Sequence, residues 1–310
     1  MSLFALIAAL SLEQFHPLSS RKYMNGWLHS YVDFFQRNFN AGEHKHGKIA
    51  WLLAVLPLLL VMVAAYWALN FVHPILAWAF NVLVLYLTMG FRQFSHYFTN
   101  IHKALRDENL DEARKLLSLW RNAPANEFNA EEIARLAIEE ALLASHRKVF
   151  GVIVWFVLFS ALGLGGAAGA LLYRMGQFLR AHWSDEVAYG EFTAYARLAY
   201  FILEWLPIRL TAITFAIVGD FEDTLYCWRS QAATWPDNEA GIVLASGAGS
   251  LGVRLGMPIP QGGILLDRPE MGIGDDADAD FMQSAVGLVW RSVVFWLILL
   301  LMLSLANLLG

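Results

Sequence analysis

The sequence predicts an all-α, polytopic integral membrane protein. Of its 310 residues, 57% are hydrophobic and only 16% are charged, whereas soluble domains carry about 25% charged residues. The mean hydropathy is +0.46, and the 12 tryptophans accord with rings placed at membrane interfaces. A single cysteine, Cys227, excludes a disulfide framework and a cysteine metal cluster. The net charge of −5 argues against nucleic-acid binding.

Five apolar segments have a length suited to a membrane span, which needs about 20 apolar residues. The second segment is short, and the brief connection that precedes it predicts a tight helical hairpin. The third segment contains the small residues 162–170, which predict a face for close helix packing. The five segments are Ile49–Ala68, Ile75–Gly90, Val149–Leu172, Leu198–Gly219 and Val286–Leu309.

The N-terminal apolar run Leu3–Leu12 is too short to span, and it lacks the basic start and the cleavage pattern of a signal peptide. It therefore predicts a re-entrant, interfacial or buried helix. The long loops between the apolar segments carry 17 of the 22 lysines and arginines. The positive-inside rule places these loops in the cytoplasm, an orientation that would invert if Leu3–Leu12 crossed the bilayer.

Two of the long loops differ in character. Residues 91–148 have helical periodicity, and Asn129 followed by Glu132 predicts a capping box that opens a helix running toward the third span. Residues 220–285 are rich in glycine and hold 11 acidic and three basic residues. A segment of this length without clear periodicity predicts a functional or disordered loop.

Two motifs in this second loop have a sharper interpretation. Residues 247–252 match G-x-G-x-x-G, but the prolines and glycines that follow leave no room for the helix of a dinucleotide-binding unit. The carboxylates of residues 275–280 offer oxygen ligands for a divalent cation, yet Phe281 occupies the position of the calcium-loop glycine. We therefore expect no dinucleotide and no metal, and a solvated acidic loop.

The fourth apolar segment holds Glu204, Pro207 and Arg209 near its middle. An ionisable group at bilayer depth costs roughly 2.5–3.5 kcal/mol, so we expect both charges to face protein, water or a partner charge. On a regular helix a separation of five residues places them about 140° apart, although the proline can bend the helix. A structural ion pair and the polar floor of a cavity open to the cytoplasm are both consistent with this pattern.

Four motifs of the chain are distinctive: the E-x-x-H-P of residues 13–17, the helical segment Leu105–Arg114, Trp205–Leu210 and Asn238–Gly256. Together they resemble the CobD/CbiB membrane proteins of cobalamin biosynthesis, a family that includes the AmpE proteins linked to β-lactamase regulation. Residues 13–17, E-x-x-H-P, are similar to an acidic residue and His-Pro near the family's start, and Leu105–Arg114 resembles its helical G-D-L-x-x-A-R segment. Trp205–Leu210 resembles P-A-R-L and is closer to the D-W-V-P-V-R-L of AmpE. Asn238–Gly256 is similar to N-A-G…A-G-A-L-G-V-R-L-G-G. The resemblance extends over nearly the whole chain.

This resemblance implies a multi-pass protein of the bacterial inner membrane. In the synthase branch it also implies ATP-dependent amide formation between adenosylcobyric acid and aminopropanol or its phosphate, with ATP and Mg²⁺. In either branch we expect the lipid bilayer as a partner and a small-molecule ligand, corrinoid-like or derived from the cell wall. The residues expected to bind that ligand are Glu13, Glu204, Arg209, Asn238, Gly241, Gly249 and Arg254. No catalytic residue is assigned.

The chain departs from the synthase pattern at polar positions. Family synthases carry E-S-x-x-E-N before the third span, where Glu139 matches but Leu143 and Ala144 replace the second glutamate and the asparagine. The family's N-T-L-D corresponds to residues 177–180, Gln-Phe-Leu-Arg, and its paired aspartates correspond to residues 200–201, Tyr-Phe. Amide ligation needs carboxylates for Mg²⁺ and groups that stabilise phosphate charge. The sequence therefore favours an AmpE-like regulatory or ligand-binding protein, with a cobalamin-pathway synthase as the alternative and a transporter as the third interpretation.

Overall fold

The computed structural model describes residues 2–15, 21–40, 42–185 and 189–309 of the chain. It confirms the predicted all-α, polytopic membrane class. Among the described residues, four helices are long and apolar enough to cross a membrane. These are His44–Val72, Ala130–Ala161, Phe192–Val218 and Ala279–Ala306.

The helices are α1 (Ser2–Phe15), α2 (Arg21–Phe39), α3 (His44–Val72), α4 (Pro74–Thr88), α5 (Phe91–Arg106), α6 (Leu110–Arg121), α7 (Ala130–Ser145), α8 (Gly151–Ala161), α9 (Gly166–His182), α10 (Phe192–Val218), α11 (Phe221–Gln231), α12 (Asn238–Leu251) and α13 (Ala279–Leu309). A π-helical turn (His146–Phe150) joins α7 to α8, and a 3₁₀ turn (Ala232–Thr234) follows α11. The strands are β1 (Val253–Gly256), β2 (Ile259–Gln261), β3 (Ile264–Leu266), β4 (Glu270–Met271) and β5 (Asp275–Asp276).

The chain divides into two compact units. The first consists of Met1–Gly90 and Gly151–Pro207, and the second of Phe91–Phe150 and Ile208–Gly310. Helix α10 continues through Pro207, so its first part belongs to the first unit and its last part to the second.

A tight turn between α3 and α4 forms the predicted hairpin of the first unit. His73 is extended, its Nδ1 accepts a hydrogen bond from the backbone of Ile75 at 3.2 Å, and Pro74 occupies the first turn of α4. Proline favours this position because a first-turn residue has no intrahelical partner for its N–H. Helix α4 has 15 residues, or about 22 Å, which is shorter than the hydrocarbon core of about 30 Å.

The third predicted segment, Val149–Leu172, is not one helix. Helix α8 ends at Ala161, and α9 begins at Gly166. Between them Gly163 and Gly165 adopt φ values of +72° and +84°, which glycine reaches without the strain of a Cβ. Gly169 then lies against the backbone of Trp155, so the small residues of this region do form the predicted packing face.

The core of the first unit is apolar and aromatic. Helix α1, which contains the predicted Leu3–Leu12 run, buries Leu3, Leu6 and Ala9 and packs on α4. A separate cluster joins α2, α3, α9 and α10, with Trp183 and Phe192 fully buried and their ring centroids 4.9 Å apart. The first unit is therefore held together chiefly by apolar burial.

The second unit begins with the predicted helical region. The capping box is confirmed, because the side chain of Asn129 accepts from the backbone of Glu132 and the Glu132 carboxylate accepts from the backbone of Asn129, both at 2.8 Å. Helix α7 then continues through the π-helical turn into α8, as the sequence predicted, so that Ala130–Ala161 is one candidate span.

The sequence predicted a loop for the glycine-rich segment of the second unit. This prediction was wrong, because the segment contains helices α11 and α12. Every residue from Ala240 to Ser250 on α12 is buried. The first five residues of the G-x-G-x-x-G motif therefore belong to a packed helix, and Gly252 follows as its C-cap. Beyond it, β1 lies between β4 and β5, and β2 pairs with β3 through Gly262 and Gly263, both at positive φ. Two such residues fit the preferred two-residue hairpin turn.

Candidate functional site

A buried ion pair joins Glu139 and Arg268 within the second unit. Glu139, on α7, is 5% exposed. The two terminal nitrogens of the Arg268 guanidinium donate to the two carboxylate oxygens of Glu139 at 2.8 and 2.9 Å. This two-fold arrangement is the strong geometry for an arginine and a carboxylate. Because an unpaired buried charge is costly, each residue fixes the position of the other.

The same ion pair holds the end of β1. The backbone N–H of Gly256 donates to Glu139 at 2.8 Å, and the carbonyls of Gly256 and Met257 accept from Arg268 at 2.6 and 3.1 Å. The guanidinium also lies over the ring of Trp235, 5.4 Å from its centroid. The network joins β1 to α7, and both oxygens of Glu139 accept hydrogen bonds within it.

The glycines of α12 lie against neighbouring backbone. A Cβ on Gly249 would lie 2.5 Å from the carbonyl oxygen of Asp223, and one on Gly241 would overlap the carbonyl oxygen of Ala232. Their lack of a side chain therefore allows the backbones to approach closely. Asn238, the first residue of the helix, is exposed. Packing alone accounts for both glycines, and their role in ligand binding stays a prediction.

Arg254, on β1, has acidic neighbours on both adjacent strands. Its guanidinium lies 2.8 Å from Asp276 on β5 and 3.9 Å from Glu270 on β4. Both carboxylates are about half exposed, so water screens these pairs. The two nearby negative charges weaken the attraction of Arg254 for an anionic ligand. Through these two contacts Arg254 links the three strands β4, β1 and β5.

Arg209 lies on the part of α10 that belongs to the second unit, and it is half-buried. Two residues further on, the hydroxyl of Thr211 lies 2.8 Å from Nδ1 of His146, and both of these side chains are buried. His146 opens the π-helical turn. Such turns occur frequently at functional sites, which makes the surroundings of His146 a candidate polar site within this unit.

Glu204 belongs to a polar cluster in the first unit. It is 2% exposed, and the hydroxyl of Tyr173 interacts with both Glu204 and Tyr200. The guanidinium of Arg180 lies 5.0 Å from the centroid of the Tyr200 ring. Glu204 thus faces protein, as the cost of an ionisable group at bilayer depth requires.

Glu13 is the other predicted ligand residue of the first unit. It lies on α1 and is 5% exposed, and α1 packs on α4 and α8. His16 and Pro17, which complete the E-x-x-H-P motif, lie outside the described residues. The first unit therefore contains two buried glutamates, Glu13 and Glu204.

The acidic run near the start of α13 is engaged with its own chain. Asp278 accepts from the backbone N–H groups of Asp280 and Phe281, both at 2.9 Å, and so caps α13. Asp280 lies 2.6 Å from Arg106, and Asp276 pairs with Arg254. Across the part of the chain that the structure describes, no group of three histidine, cysteine or acidic side chains is placed to hold a metal ion.

The comparison with known families accounts for the motifs. The model of the CobD/CbiB protein family matches residues 5–289. The chain belongs to the CobD/CbiB family. The matched region includes Glu139, Arg268 and the whole of α12, so the buried ion pair and the glycine helix both lie within the family domain.

Three curated relatives show the extent of the similarity. The cobalamin biosynthesis protein CobD of Stutzerimonas stutzeri is 35% identical over 275 residues, which are 87% of each chain. The CobD protein of Chromobacterium violaceum is 34% identical over 248 residues, 80% of this chain and 72% of the relative. The CbiB protein of Salmonella typhimurium is 25% identical over 244 residues, 74% of this chain and 72% of the relative. No solved structure is significantly similar to the chain.

Membership in the CobD/CbiB family confirms the broad resemblance seen in the sequence. The narrower AmpE-like assignment, which came from Trp205–Leu210, has no support in these comparisons. The departures from the synthase pattern occupy different environments. Leu143 and Ala144 are half-buried, Tyr200 is 1% exposed beside Glu204, and Phe201 is 49% exposed on a helix long enough to cross the membrane.

Sequence reasoning did not single out Arg268, Tyr173 or His146. Arg268 lies 129 residues from Glu139, and no spacing rule relates residues at that separation. Tyr173 and His146 gave no spacing signal either, because the residues they contact, Glu204 and Thr211, lie far along the chain. The sequence singled out Glu139 only as a match to the family motif, and that match does not indicate a cation as its partner.

Proposed function

We propose that this protein acts in cobalamin biosynthesis as the membrane enzyme that forms an amide bond between adenosylcobyric acid and aminopropanol or its phosphate, driven by ATP. The observation that carries the proposal is the 35% identity with a CobD protein over 87% of both chains. An alignment of that length includes residues of both compact units and is not limited to one isolated motif.

Buried polar residues in each of the two units also support the proposal. Glu139 matches the first glutamate of the family's E-S-x-x-E-N motif, and its carboxylate fixes β1 through Arg268 and Gly256. In the first unit the ionisable side chains of Glu204 and Tyr173 are buried. Both sites cost free energy to maintain, which is the pattern expected of groups that serve a ligand.

The predicted ligand residues differ in their chemistry and in the contacts that they already make. Glu204 and Glu13 are buried carboxylates with the chemistry to orient an amine, and Arg209 is a half-buried cation with the chemistry to orient a carboxylate or a phosphate. Asn238 offers an exposed amide at the start of α12. Gly241, Gly249 and Arg254 are engaged in packing or ion pairs. In synthases Mg²⁺ accompanies ATP, and the described residues assign no side chain to it.

We further propose that the protein lies in the bacterial inner membrane with its long loops in the cytoplasm. The support is the 17 of 22 basic residues in those loops. A cysteine introduced at Asn126, in the long loop of residues 91–148, should react with a membrane-impermeant maleimide in inside-out vesicles but not in intact spheroplasts. A cysteine at Ser184 should show the opposite pattern. Both residues are exposed, and the reverse labelling would contradict this orientation.

A complementation assay tests the proposed reaction. A strain that lacks its own synthase, supplied with cobyric acid and aminopropanol, should grow under cobalamin-dependent conditions when it expresses this chain. Product formation should also be seen by mass spectrometry as the amide of cobyric acid with aminopropanol. Failure to grow, with normal amounts of the protein in the membrane fraction by immunoblot, would overturn the synthase proposal.

A non-catalytic family member is the second candidate function. The observation that favours it is the loss of polar groups where synthases have them, at Leu143, Ala144, Tyr200 and Phe201. Such a protein, AmpE-like or otherwise regulatory, would bind a corrinoid-like or cell-wall-derived ligand without joining it to an amine. Binding of cobyric acid to the purified protein without any ATP-dependent product would favour this candidate.

A further inference from the structure

Arg135 is a buried arginine whose hydrogen-bonding groups are poorly satisfied. It lies on α7, one turn before Glu139, and is 7% exposed. Its Nη1 donates to the sulfur of Met257 at 3.4 Å, and a thioether is a weak acceptor. Its buried Nε has no hydrogen-bond partner in the part of the chain that the structure describes. Buried charged groups are normally paired and hydrogen-bonded, so Arg135 is an exception that calls for an explanation.

The nearest carboxylate does not satisfy Arg135. Its strongest electrostatic neighbours are Glu139 and then Arg268. Both oxygens of Glu139 accept from Arg268, and one of them also accepts from the backbone N–H of Gly256. The side chains of Arg268 and Glu139 are only 12% and 6% exposed. The buried charges here are therefore two guanidinium groups and one carboxylate, which leaves one positive charge in excess.

Two further carboxylates act on Arg135 more weakly. Glu132 is partly exposed and accepts from the backbone N–H of Asn129 in the capping box. Asp276 is about half exposed and pairs with Arg254 at 2.8 Å. Water screens charges at such exposure, so these two carboxylates offset the charge of Arg135 only in part.

Met257, the residue that contacts the guanidinium, has a strained backbone. Its φ is +64°, a left-handed value that glycine adopts freely and a residue with a Cβ does not. Strained residues of this kind cluster at ligand-binding sites. Met257 is half-buried, and the next residue, Pro258, is exposed. A flexible methionine side chain can move, so a stronger acceptor can replace its sulfur at Nη1 from this partly exposed side.

Arg135 lies on the polar part of a helix that is longer than the bilayer core is thick. Ala130–Ala161 has 32 residues, or about 48 Å, whereas the core is about 30 Å thick. The acidic residues of this stretch all lie in its first third, around Arg135, at positions 131, 132, 139 and 140. This polar part extends beyond the core, where water-soluble anions have access to it.

We infer that Arg135 binds a phosphate group of a substrate. Phosphate oxygens are strong acceptors that match the fork of donors on a guanidinium, and their negative charge balances the buried excess. The identity of the compound rests on the proposed function, in which ATP and the phosphate ester of aminopropanol both carry such a group. The binding itself requires only the charge and the donors of Arg135.

Thermal unfolding of the full chain in detergent tests the inference. The probes are inorganic phosphate, aminopropanol phosphate, aminopropanol and MgATP, and the rise of the midpoint with concentration gives each Kd. We expect Arg135→Met to weaken phosphate binding roughly tenfold or more, because charged hydrogen bonds are lost. Arg135→Lys keeps the charge and should retain part of the affinity. A response to the phosphate ester assigns the site to the amine substrate, and a response to MgATP alone assigns it to the nucleotide.

The midpoints without any probe separate a ligand-binding role from a structural one. Arg135→Met removes a poorly satisfied buried charge, so we expect a midpoint equal to or above that of the natural protein. Arg106→Met, which alters an exposed arginine, is the matched control and should bind every probe normally. Lower midpoints in both Arg135→Met and Arg135→Lys would make Arg135 structural and overturn the inference. Equal shifts in the natural protein and Arg135→Met, or no shift with any probe, would also overturn it.

The result for Arg135 can be told apart from the result for the proposed reaction. Amide product from the natural protein, with unchanged affinities in Arg135→Met, would overturn the binding role and leave the synthase proposal in place. Phosphate binding that depends on Arg135, without any amide product, would do the reverse.

Discussion

Glu139 and Arg268 form a two-fold hydrogen-bonded ion pair across 129 residues of sequence, at 2.8 and 2.9 Å. The pair closes around the backbone of Gly256, which both donates to Glu139 and accepts from Arg268. This buried contact fixes the position of β1 against α7. Because β1 directly follows the glycine helix α12, the contact also fixes the end of that helix.

Removing one member of this pair should destabilise the protein strongly. Arg268→Met leaves Glu139 buried without its cation, which costs about 3–5 kcal/mol in comparable cases. The double variant Glu139→Leu with Arg268→Met should cost less than the sum of the two single variants, because it leaves no unpaired charge. Denaturant unfolding of the protein in detergent micelles measures all three.

Arg106→Met is the matched control for this prediction. Its pair with Asp280 is exposed, with side chains at 52% and 76% exposure, and exposed pairs contribute about 0–1 kcal/mol. If the free energy of unfolding falls equally in Arg106→Met and Arg268→Met, the buried pair does not have the structural role assigned to it.

The contact between α11 and α12 should tolerate no side chain at Gly249. In Gly249→Ala the new methyl group would lie 2.5 Å from the carbonyl oxygen of Asp223, and overpacking of this kind costs about 1–3 kcal/mol. Gly287→Ala on α13 is the control, since nothing lies within 4 Å of its Cβ position. Thermal melting in detergent should show a lower midpoint for the first variant only, and equal midpoints would contradict the packing role.

The thiol of Cys227 should be unreactive in the folded protein. Burial, and then the nearby charge of Asp223, raises the pKa of this thiol from 9.0 to about 11, and the reactive species is the thiolate. Because the folded state holds this proton more tightly than the unfolded state, the stability that the thiol contributes is present below pH 9 and is lost as the pH rises toward 11.

Labelling with a maleimide at pH 8 checks this expectation. We expect no modification of the native protein over a period that fully labels the protein unfolded in sodium dodecyl sulfate. Rapid modification of the native protein would show that α11 separates from α12 in solution.

Glu204 should matter to function more than to assembly. Glu204→Gln keeps the size of the side chain but removes its charge, and loss of one charged hydrogen bond corresponds to about 10- to 150-fold in binding or rate. We expect a reduction of at least tenfold in amide product with normal amounts of protein in the membrane. Glu131→Gln, which alters an exposed glutamate, should leave product formation unchanged, and an equal loss in both variants would remove Glu204 from the proposed site.

Local signals made much of the fold predictable. The turn at His73 and Pro74 and the capping box of Asn129 and Glu132 depend on residues within a few positions of each other. The apolar segments around α3, α10 and α13 were visible because a span needs only length and composition. The interruption between α8 and α9 was harder to predict, since Gly163 and Gly165 are equally compatible with a packed helix until their φ values are known.

The sequence by itself determined the membrane class, the family motifs and the presence of charges that needed partners. Only the tertiary structure decided where those charges lie, as in the pairing of Glu139 with Arg268 and the burial of Glu204 close to Tyr173 and Tyr200. It also showed that Asn238–Gly256 is a buried helix followed by a strand, where the sequence predicted a loop. The physical reason is that glycine has a weak helical preference of its own, and its place in α12 depends on close contact with backbone that lies far away in the chain.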